Sequence, residues 1–212
     1  MTAGATTIFE VNAAAVTPTP WRNGGGLTRE LLRVPAAGAK PAADDWLLRI
    51  SLADITGDGA FSAFDGMTRW FSVIAGAGVQ LRWPDSTREL RAADAPLMFD
   101  GADAPYCQLL AGPTRDLNVM VRHAAAHAQL LRAEYDQPWR WVGSARGLFT
   151  LQALRLQRGE QQHALAAGCL LWATGDDARD WRLVRDSSAD GASDAGAPPG
   201  FWIGFREPVP AA

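Results

Sequence analysis

Short apolar runs, separated by clusters of Gly, Pro and Asp, recur along the whole chain. Runs of roughly five to eight residues with this punctuation are typical of β-strands, because amphipathic helices need longer stretches with apolar positions three and four residues apart. The first part of the chain predicts strands at Thr28–Val34, Trp46–Ala53, Arg69–Ala75, Val79–Trp83, Ala95–Phe99, Tyr106–Leu110 and Leu117–Arg122. The second part predicts strands at Leu148–Arg155, Gly168–Ala173, Trp181–Arg185 and Phe201–Phe205. About eleven strands with short turns fit a sandwich or barrel, so the predicted fold class is all-β.

One stretch between the two groups of strands has a different composition. Residues 123–135 are dense in strong helix formers and contain neither Gly nor Pro, which predicts a helix of about three turns. Such a helix would link two lobes, approximately 8–122 and 139–207, within a single domain covering residues 1–212. Asp186–Gly200 contains no large apolar residue and is expected to be a mobile surface loop.

The composition is that of an ordinary globular protein. Hydrophobic residues make up 48% and charged residues 20% of the 212 residues, with a formal net charge of −3. No basic run interleaved with aromatics occurs, so nucleic acid is not an expected partner. No apolar run approaches the length of a membrane helix, and the N-terminus lacks the signal-peptide pattern, so no membrane partner and a cytoplasmic location are expected.

Metal and thiol chemistry have little support in the sequence. Of the three histidines, His123 and His127 are four residues apart in the predicted helix and could share an ion, but no Glu follows His123, so a solvated helix face is favoured. Cys107 and Cys169, the two cysteines, each lie in an apolar run, which favours buried free thiols over a disulfide. Neither a metal nor another cofactor is expected.

The segment Trp21–Gly26 contains three consecutive glycines. Glycines in a row are expected where the backbone needs a positive φ or a close approach, since they lose the most conformational entropy on folding. Their N–H groups could cradle a carboxylate or phosphate, but the segment has no nucleotide-loop spacing. From spacing alone, a tight turn is favoured over an anion cradle.

The strand Trp46–Ala53 has two different faces. Trp46, Leu48, Ile50 and Leu52 lie on one face, and Leu47, Arg49, Ser51 and Ala53 lie on the other. The first face belongs to the core. The second places a guanidinium beside a hydroxyl and is either a solvated sheet face or the polar lining of a cavity, where Arg49 would bind a carboxylate in bidentate fashion.

Two further segments combine turn residues with polar side chains. Gly57–Trp70 includes Phe61, Ser62 and Arg69, and is either a binding loop or a loop packed on its own aromatic side chains. Gly112–Met120 places Asp116, Asn118 and Met120 on one strand face. The carboxylate and amide could bind a polar ligand or satisfy loop backbone groups.

Taken in order, these segments resemble the HutD/Ves family. The matching pieces are Trp21–Gly26 with Thr28-Arg29-Glu30, Arg49–Ala53, Gly59–Ser62 with Gly66 and Arg69, Gly76-Ala77-Gly78, and Gly112–Met120. They cover roughly residues 8–123, and the second half matches only in its pattern of strands. The resemblance implies a bicupin, two small β-barrel or jelly-roll lobes with few short helices, without the metal-binding histidines of other cupins. It leaves homodimer formation open.

The resemblance also implies a function and a site. The function is to moderate or sense histidine catabolism by binding a small anionic metabolite, N-formylglutamate, urocanate or a formate-like molecule. In this hypothesis Arg49 anchors a ligand carboxylate, Arg69 is a second cation, the Asn23 amide and the glycine N–H groups orient polar atoms, and aromatic side chains form a wall. The expected ligand-binding residues are Trp21, Asn23, Gly24, Gly25, Gly26, Arg49, Ser51, Phe61, Ser62 and Arg69.

An enzyme is the rival hypothesis. A metal-free isomerase or hydrolase acting on a pathway intermediate would use Glu30 or Asp116 as a general base, since acid–base catalysis needs only a positioned carboxylate of suitable pKa. The sequence shows no pairing for either residue, so a non-catalytic role is preferred. A protein that docks on a transcription regulator or a permease is a third alternative, and the sequence contains no peptide-recognition motif for or against it.

Overall fold

The computed structural model describes residues 6–36, 45–175, 179–185 and 197–207. Within these ranges it contains β-strands and a single 3-10 turn, Ala13–Ala15, and no α-helix. The strands are β1 (Thr7–Asn12), β2 (Thr19–Pro20), β3 (Gly26–Pro35), β4 (Trp46–Ile55), β5 (Gly59–Ala60), β6 (Met67–Ala75), β7 (Val79–Trp83), β8 (Ser86–Leu90), β9 (Leu97–Asp100), β10 (Tyr106–Leu109), β11 (Thr114–Arg122), β12 (His127–Arg132), β13 (Pro138–Trp139), β14 (Ala145–Thr150), β15 (Leu154–Arg158), β16 (Gln161–Leu165), β17 (Cys169–Thr174), β18 (Trp181–Val184) and β19 (Gly200–Arg206). The all-β prediction is confirmed. In the described part of the chain, no helix has the length and apolarity needed to cross a membrane.

The stretch from Val16 to Ala128 forms one compact unit with two antiparallel sheets. The larger sheet has the order β2-β3-β4-β11-β6-β9, and the smaller has the order β5-β10-β7-β8. Both contribute to one apolar core, which includes Ile55, Phe71 and Val73 from the larger sheet and Val79, Leu81 and Cys107 from the smaller. The sheets therefore pack face to face as in a sandwich, and the described strands of this unit do not close into a single barrel.

The remaining described residues form the second unit, which also has two sheets, β1-β17-β14-β19-β12 and β13-β18-β15-β16. Trp139, Trp181 and Trp202 pack together in one core cluster of this unit. Trp139 and Trp202 stack with ring centroids 4.9 Å apart, and Trp181 meets each of them edge-on. The N-terminal strand β1 pairs with β17, so it belongs to this unit, whereas the sequence placed it in the first lobe.

Most strands lie where the apolar pattern predicts them. Each of the eleven predicted strands overlaps an observed one, and Cys107 and Cys169 are buried free thiols, as expected. Leu148–Arg155, predicted as one strand, is two, because the chain turns at residues 151–153 between β14 and β15. Of the predicted loop Asp186–Gly200, residues 186–196 lie outside the described residues, and Gly200 begins β19.

The predicted helix over residues 123–135 is wrong. The N–H groups of Ala125 and Ala126 both donate to the carbonyl of Arg122, which closes a tight turn, and the chain then enters β12 beside β19. Helix propensity is a weak preference, and pairing along a sheet edge overrides it here. The i,i+4 face expected for His123 and His127 is therefore not formed.

Two neighbouring leucines of β12 distinguish a strand from a helix at this position. Leu130 is 1% exposed and Leu131 is 38% exposed, as expected for a strand that alternates between core and solvent. Leu130→Ala should lower the free energy of unfolding by about 2–4 kcal/mol, because it opens a cavity in the core. Leu131→Ala, the matched control, should lower it by about 0.5 kcal/mol or less. Equal losses in urea unfolding would contradict this placement of β12.

Candidate functional site

Cross-strand pairing in the larger sheet gathers the candidate side chains of the first unit. Arg49 on β4 pairs with Met120 on β11, and Met120 pairs with Arg69 on β6. In the adjacent row of the sheet, Ser51 pairs with Asn118. Because directly paired residues of antiparallel strands point to the same side, both rows lie on one face of the sheet. The second face of β4 is thus the polar lining of a cavity rather than a solvated surface.

This face opens on a cavity of about 540 Å³ within the first unit. The volume falls in the range of roughly 300–1,000 Å³ that small-molecule sites occupy. The cavity is lined by Pro20, Trp21, Arg22, Asn23, Thr28, Arg49, Ser51, Ala53, Ala60, Phe61, Ser62, Phe64, Arg69, Asn118 and Met120. Seven residues of the predicted site are among them: Trp21, Asn23, Arg49, Ser51, Phe61, Ser62 and Arg69. The lining contains three arginines and no Asp or Glu, which makes it a cationic site.

Arg49 shares a carboxylate with a second arginine. Its Nε donates to Glu30 Oε2 at 2.8 Å, and Arg33 donates to both oxygens of the same carboxylate at 2.9 and 2.7 Å. Among the described residues, the remaining guanidinium N–H groups of Arg49 have no protein acceptor. Burial alone would raise the pKa of Glu30, but hydrogen bonds and charges from Arg33 and Arg49 outweigh it and lower the pKa. A carboxylate held in this way is a weak base, and Glu30 does not line the cavity.

Arg69 is only 6% exposed. Its Nε donates to Asn118 Oδ1 at 2.8 Å, and its guanidinium carbon lies 4.3 Å from the centre of the Phe61 ring. The rings of Phe71 and Phe99 each lie 5.6 Å away. Burial lowers the pKa of Arg69 to about 10, against the opposing charge of Asp116, so the side chain stays cationic at neutral pH. The aromatic rings and Asn118 thus hold a charged guanidinium at the cavity wall.

Asp116 lies beyond Asn118 and is 0% exposed. Its Oδ1 accepts a hydrogen bond from Asn118 Nδ2, while its Oδ2 is buried without a hydrogen-bond partner. Burial raises the pKa of this carboxyl to about 7, although the Arg69 charge and the Asn118 hydrogen bond act in the opposite direction. A pKa near 7 suits proton transfer. Asp116 is not among the residues lining the cavity, however, so the structure gives it no direct access to a ligand there.

The glycine triplet forms a turn. Gly24 has a φ of +73° and donates its N–H to the carbonyl of Trp21 at 3.1 Å, and the Gly25 N–H donates to Asn23 Oδ1 at 3.0 Å. These N–H groups are therefore used within the loop, and none of the three glycines lines the cavity. Gly24, Gly25 and Gly26, which were expected to cradle a ligand with their N–H groups, are thus predicted site residues that the structure does not bring to the cavity wall.

The turn positions an aromatic wall instead. A Cβ on Gly26 would lie 2.5 Å from the carbonyl oxygen of Asp54 and 3.1 Å from the Trp21 ring, so the close approach requires glycine. The Trp21 indole packs over this position and donates its Nε1–H to Thr28 Oγ1 at 2.7 Å. The side chain is thereby fixed with an apolar surface toward the cavity.

Several lining residues were not predicted. Asn118 and Met120 share the strand face of Asp116, so the sequence shows on which side of the sheet they lie. It does not show that a cavity lies in front of that side. Arg22 follows Trp21 directly and is exposed at the cavity. Phe64 packs edge-on against Trp46, with ring centroids 6.5 Å apart. In the described residues, no three His, Cys, Asp or Glu side chains meet in a group that could hold a metal ion.

The HutD family model matches residues 13–189. The chain belongs to the HutD family. A protein of Pseudomonas putida described as an uncharacterized 21.2 kDa protein in the hutC 3′ region is 37% identical over 112 residues, which cover 52% of this chain and 56% of that protein. Protein Ves of Citrobacter koseri is 31% identical over 142 residues, covering 66% of this chain and 71% of Ves.

The structure of HutD from Pseudomonas fluorescens SBW25, determined in a formate condition, is similar over the whole length. It has a TM-score of 0.78 and 25% identity, and the match covers 96% of this chain and 100% of that one. The HutD-family resemblance seen in the motifs therefore extends to the fold of both units.

The Asp116 environment gives a test in the pH dependence of stability. A carboxyl whose pKa rises from 3.8 to about 7 on folding binds its proton more tightly in the folded state, so stability falls as pH rises from about 4 to 7. Asp116→Asn removes this titration and keeps the side-chain shape. Its free energy of unfolding, relative to that of the parent protein, should therefore rise across that window by up to about 4 kcal/mol, and stay level above it.

The matched control is Asp180→Asn, which alters an exposed carboxylate paired with Arg140. The Arg140 hydrogen bond lowers the pKa of Asp180, so this variant should show no rise. Urea unfolding between pH 4.5 and 8 measures both. Parallel pH profiles for Asp116→Asn and the parent protein would show that the folded environment does not perturb Asp116.

Proposed function

We propose that this protein binds a small carboxylate intermediate of histidine degradation in the cavity of the Val16–Ala128 unit, in the cytoplasm, and so senses or sequesters it without catalysing a reaction. The candidates are N-formylglutamate, urocanate and formate-like anions. Membership of the HutD family and a relative named for its place beside hutC support the link to histidine utilisation.

The observation that carries the proposal is the pair of arginines in one cavity. Arg49 and Arg69 both line it, and each uses only its Nε in a hydrogen bond to a described residue. The outer N–H groups of both are thus available for charge-assisted hydrogen bonds to a carboxylate. Strands β4 and β6 flank β11, so the two backbones are about 10 Å apart. The long side chains of Arg49 and Arg69 can therefore both bind one carboxylate, or each can bind a different carboxylate of the same ligand.

The rest of the lining suits an anion with a short carbon skeleton. Trp21, Phe61, Phe64 and Met120 supply apolar surface, and Ser51 supplies a hydroxyl beside Arg49. Two charge-assisted contacts contribute very roughly 1.5–3 kcal/mol each. Together with this apolar contact, and after the cost of association, they correspond to a Kd on the order of micromolar.

The alternative of a metal-free isomerase or hydrolase has less support from the geometry. Of its two proposed bases, Glu30 is held by two arginines and Asp116 is screened from the cavity by Asn118. No Asp, Glu, His or Cys side chain is among the residues that line the cavity. A binding protein needs none of these groups, so binding without turnover is the simpler account.

Calorimetric titration with N-formylglutamate, urocanate, formate and glutamate tests the proposal. At least one of the first three should bind, and Arg49→Ala should weaken that binding by about 10- to 100-fold, the value of one lost charge-assisted contact. The variant should fold, because Glu30 keeps Arg33 as its partner. Arg115→Ala is the matched control: it removes one positive charge that pairs with Asp54 and does not line the cavity. Its affinity should be unchanged.

Each alternative result has a distinct meaning. Equal heats for the parent protein and Arg49→Ala would remove Arg49 from the site. An absence of heat with all four compounds would reject the binding function. Turnover of any of them, abolished by Glu30→Gln, would favour the enzyme.

A further inference from the structure

Three polar side chains connect the cavity wall to a carboxyl group that the cavity does not reach. Arg69 lines the cavity and donates its Nε–H to Asn118 Oδ1, and Asn118 donates its Nδ2–H to Asp116 Oδ1. The other carboxyl oxygen, Asp116 Oδ2, is buried and accepts no hydrogen bond. An ionised carboxylate with one bare oxygen is costly to bury. Protonation of Asp116 Oδ2 would remove this cost.

The charges around Asp116 leave Arg69 as its main counter-ion. On β4, the carboxylate of Asp54 disfavours ionisation of Asp116. The positive charge of Arg49, also on β4, lowers the pKa of Arg69. On β10, burial and nearby carboxylates, including Asp58, raise the pKa of the Cys107 thiol to about 12, so it stays neutral. The ionisation of Asp116 thus depends on how much of the Arg69 charge is available to it.

We propose that Asp116 takes up a proton when a carboxylate binds to Arg69, so that the site binds its anion together with a proton. This inference rests on the proposed function. In this step one O–H bond forms on Asp116 Oδ2 with a proton taken from solvent, and the ligand remains ionised. Asp116 is then a residue that sets the charge of the site without touching the ligand.

The geometry keeps Arg69 in place in both protonation states. Asn118 holds Arg69 through its Oδ1, and its Nδ2–H needs only Asp116 Oδ1, which remains an acceptor after Oδ2 is protonated. An anion on the outer side of the guanidinium is separated from Asp116 by the guanidinium, the Asn118 amide and the hydrogen bonds that join them, a distance of roughly 8 Å for ordinary hydrogen-bond lengths. At an effective dielectric constant of about 20, its repulsion raises the pKa of Asp116 by one to two pH units. The free pKa of about 7 makes a change of this size visible near neutral pH.

Calorimetry in two buffers of different ionisation enthalpy measures the proton directly. Triethanolamine and Tris are suitable because neither is an anion that competes for the arginines, and N-formylglutamate is a suitable probe because its carboxyl groups stay ionised from pH 6 to 9. We expect uptake of about half a proton per ligand near pH 7.5, and binding about tenfold weaker at pH 9 than at pH 6, for a rise of one pH unit. Asp116→Asn should bind with no proton uptake near pH 7.5 and with a flat pH profile between pH 6 and 8, where Arg69 stays charged.

The outcomes separate this inference from the proposed function. Binding to the parent protein without proton uptake overturns the role of Asp116 and leaves the binding function intact, whereas no binding overturns both. Uptake that persists in Asp116→Asn assigns the proton to another group and overturns the inference. If this variant does not fold, carbon-13 NMR of the Asp side-chain carboxyls in the parent protein decides: the Asp116 signal must titrate at higher pH in the complex than in the free protein.

Discussion

A guanidinium buried on the inner face of a β-sheet needs both hydrogen-bond partners and a counter-charge. In the first unit, the residues around Arg69 supply them. Arg69 is surrounded by the rings of Phe61, Phe71 and Phe99, which receive its flat face by cation–π contact. Asn118 supplies the hydrogen bond and connects it to the buried Asp116. The guanidinium is left with N–H groups that only a ligand or water in the cavity can satisfy.

The cavity lies over the polar part of the inner face of the larger sheet, and the segments 21–23 and 61–64 supply much of its remaining wall. Apolar residues on the inner faces of the two sheets interlock in one core at Phe71, Val79 and Leu81. Where the larger sheet carries Arg49 and Ser51 instead, these side chains line the cavity, since burying them against apolar residues would leave polar groups without hydrogen-bond partners. The fold thus concentrates cations at the place where it leaves room for a small molecule.

Local patterns revealed the strands but not all of their partners. The alternation through β4 separated Arg49 from the core residues, yet the choice between solvent and cavity depended on where the segments 21–23 and 61–64 pack, which no local signal shows. The alanine-rich stretch 123–135 has helical propensity, and an edge pairing with β19 overrode it. The glycine triplet lies at a turn, as its spacing favoured, and the N–H groups of Gly24 and Gly25 donate within the loop. The pairing of β1 with β17 joins residues too far apart in sequence for periodicity to predict.

A crystal structure of the protein saturated with N-formylglutamate would test the central claim most directly. We expect a ligand carboxylate within about 3 Å of the outer guanidinium nitrogens of Arg49 or Arg69, with Trp21 and Phe61 against its carbon chain. Ligand density outside this cavity, or a cavity that holds only solvent at saturating ligand, would contradict it.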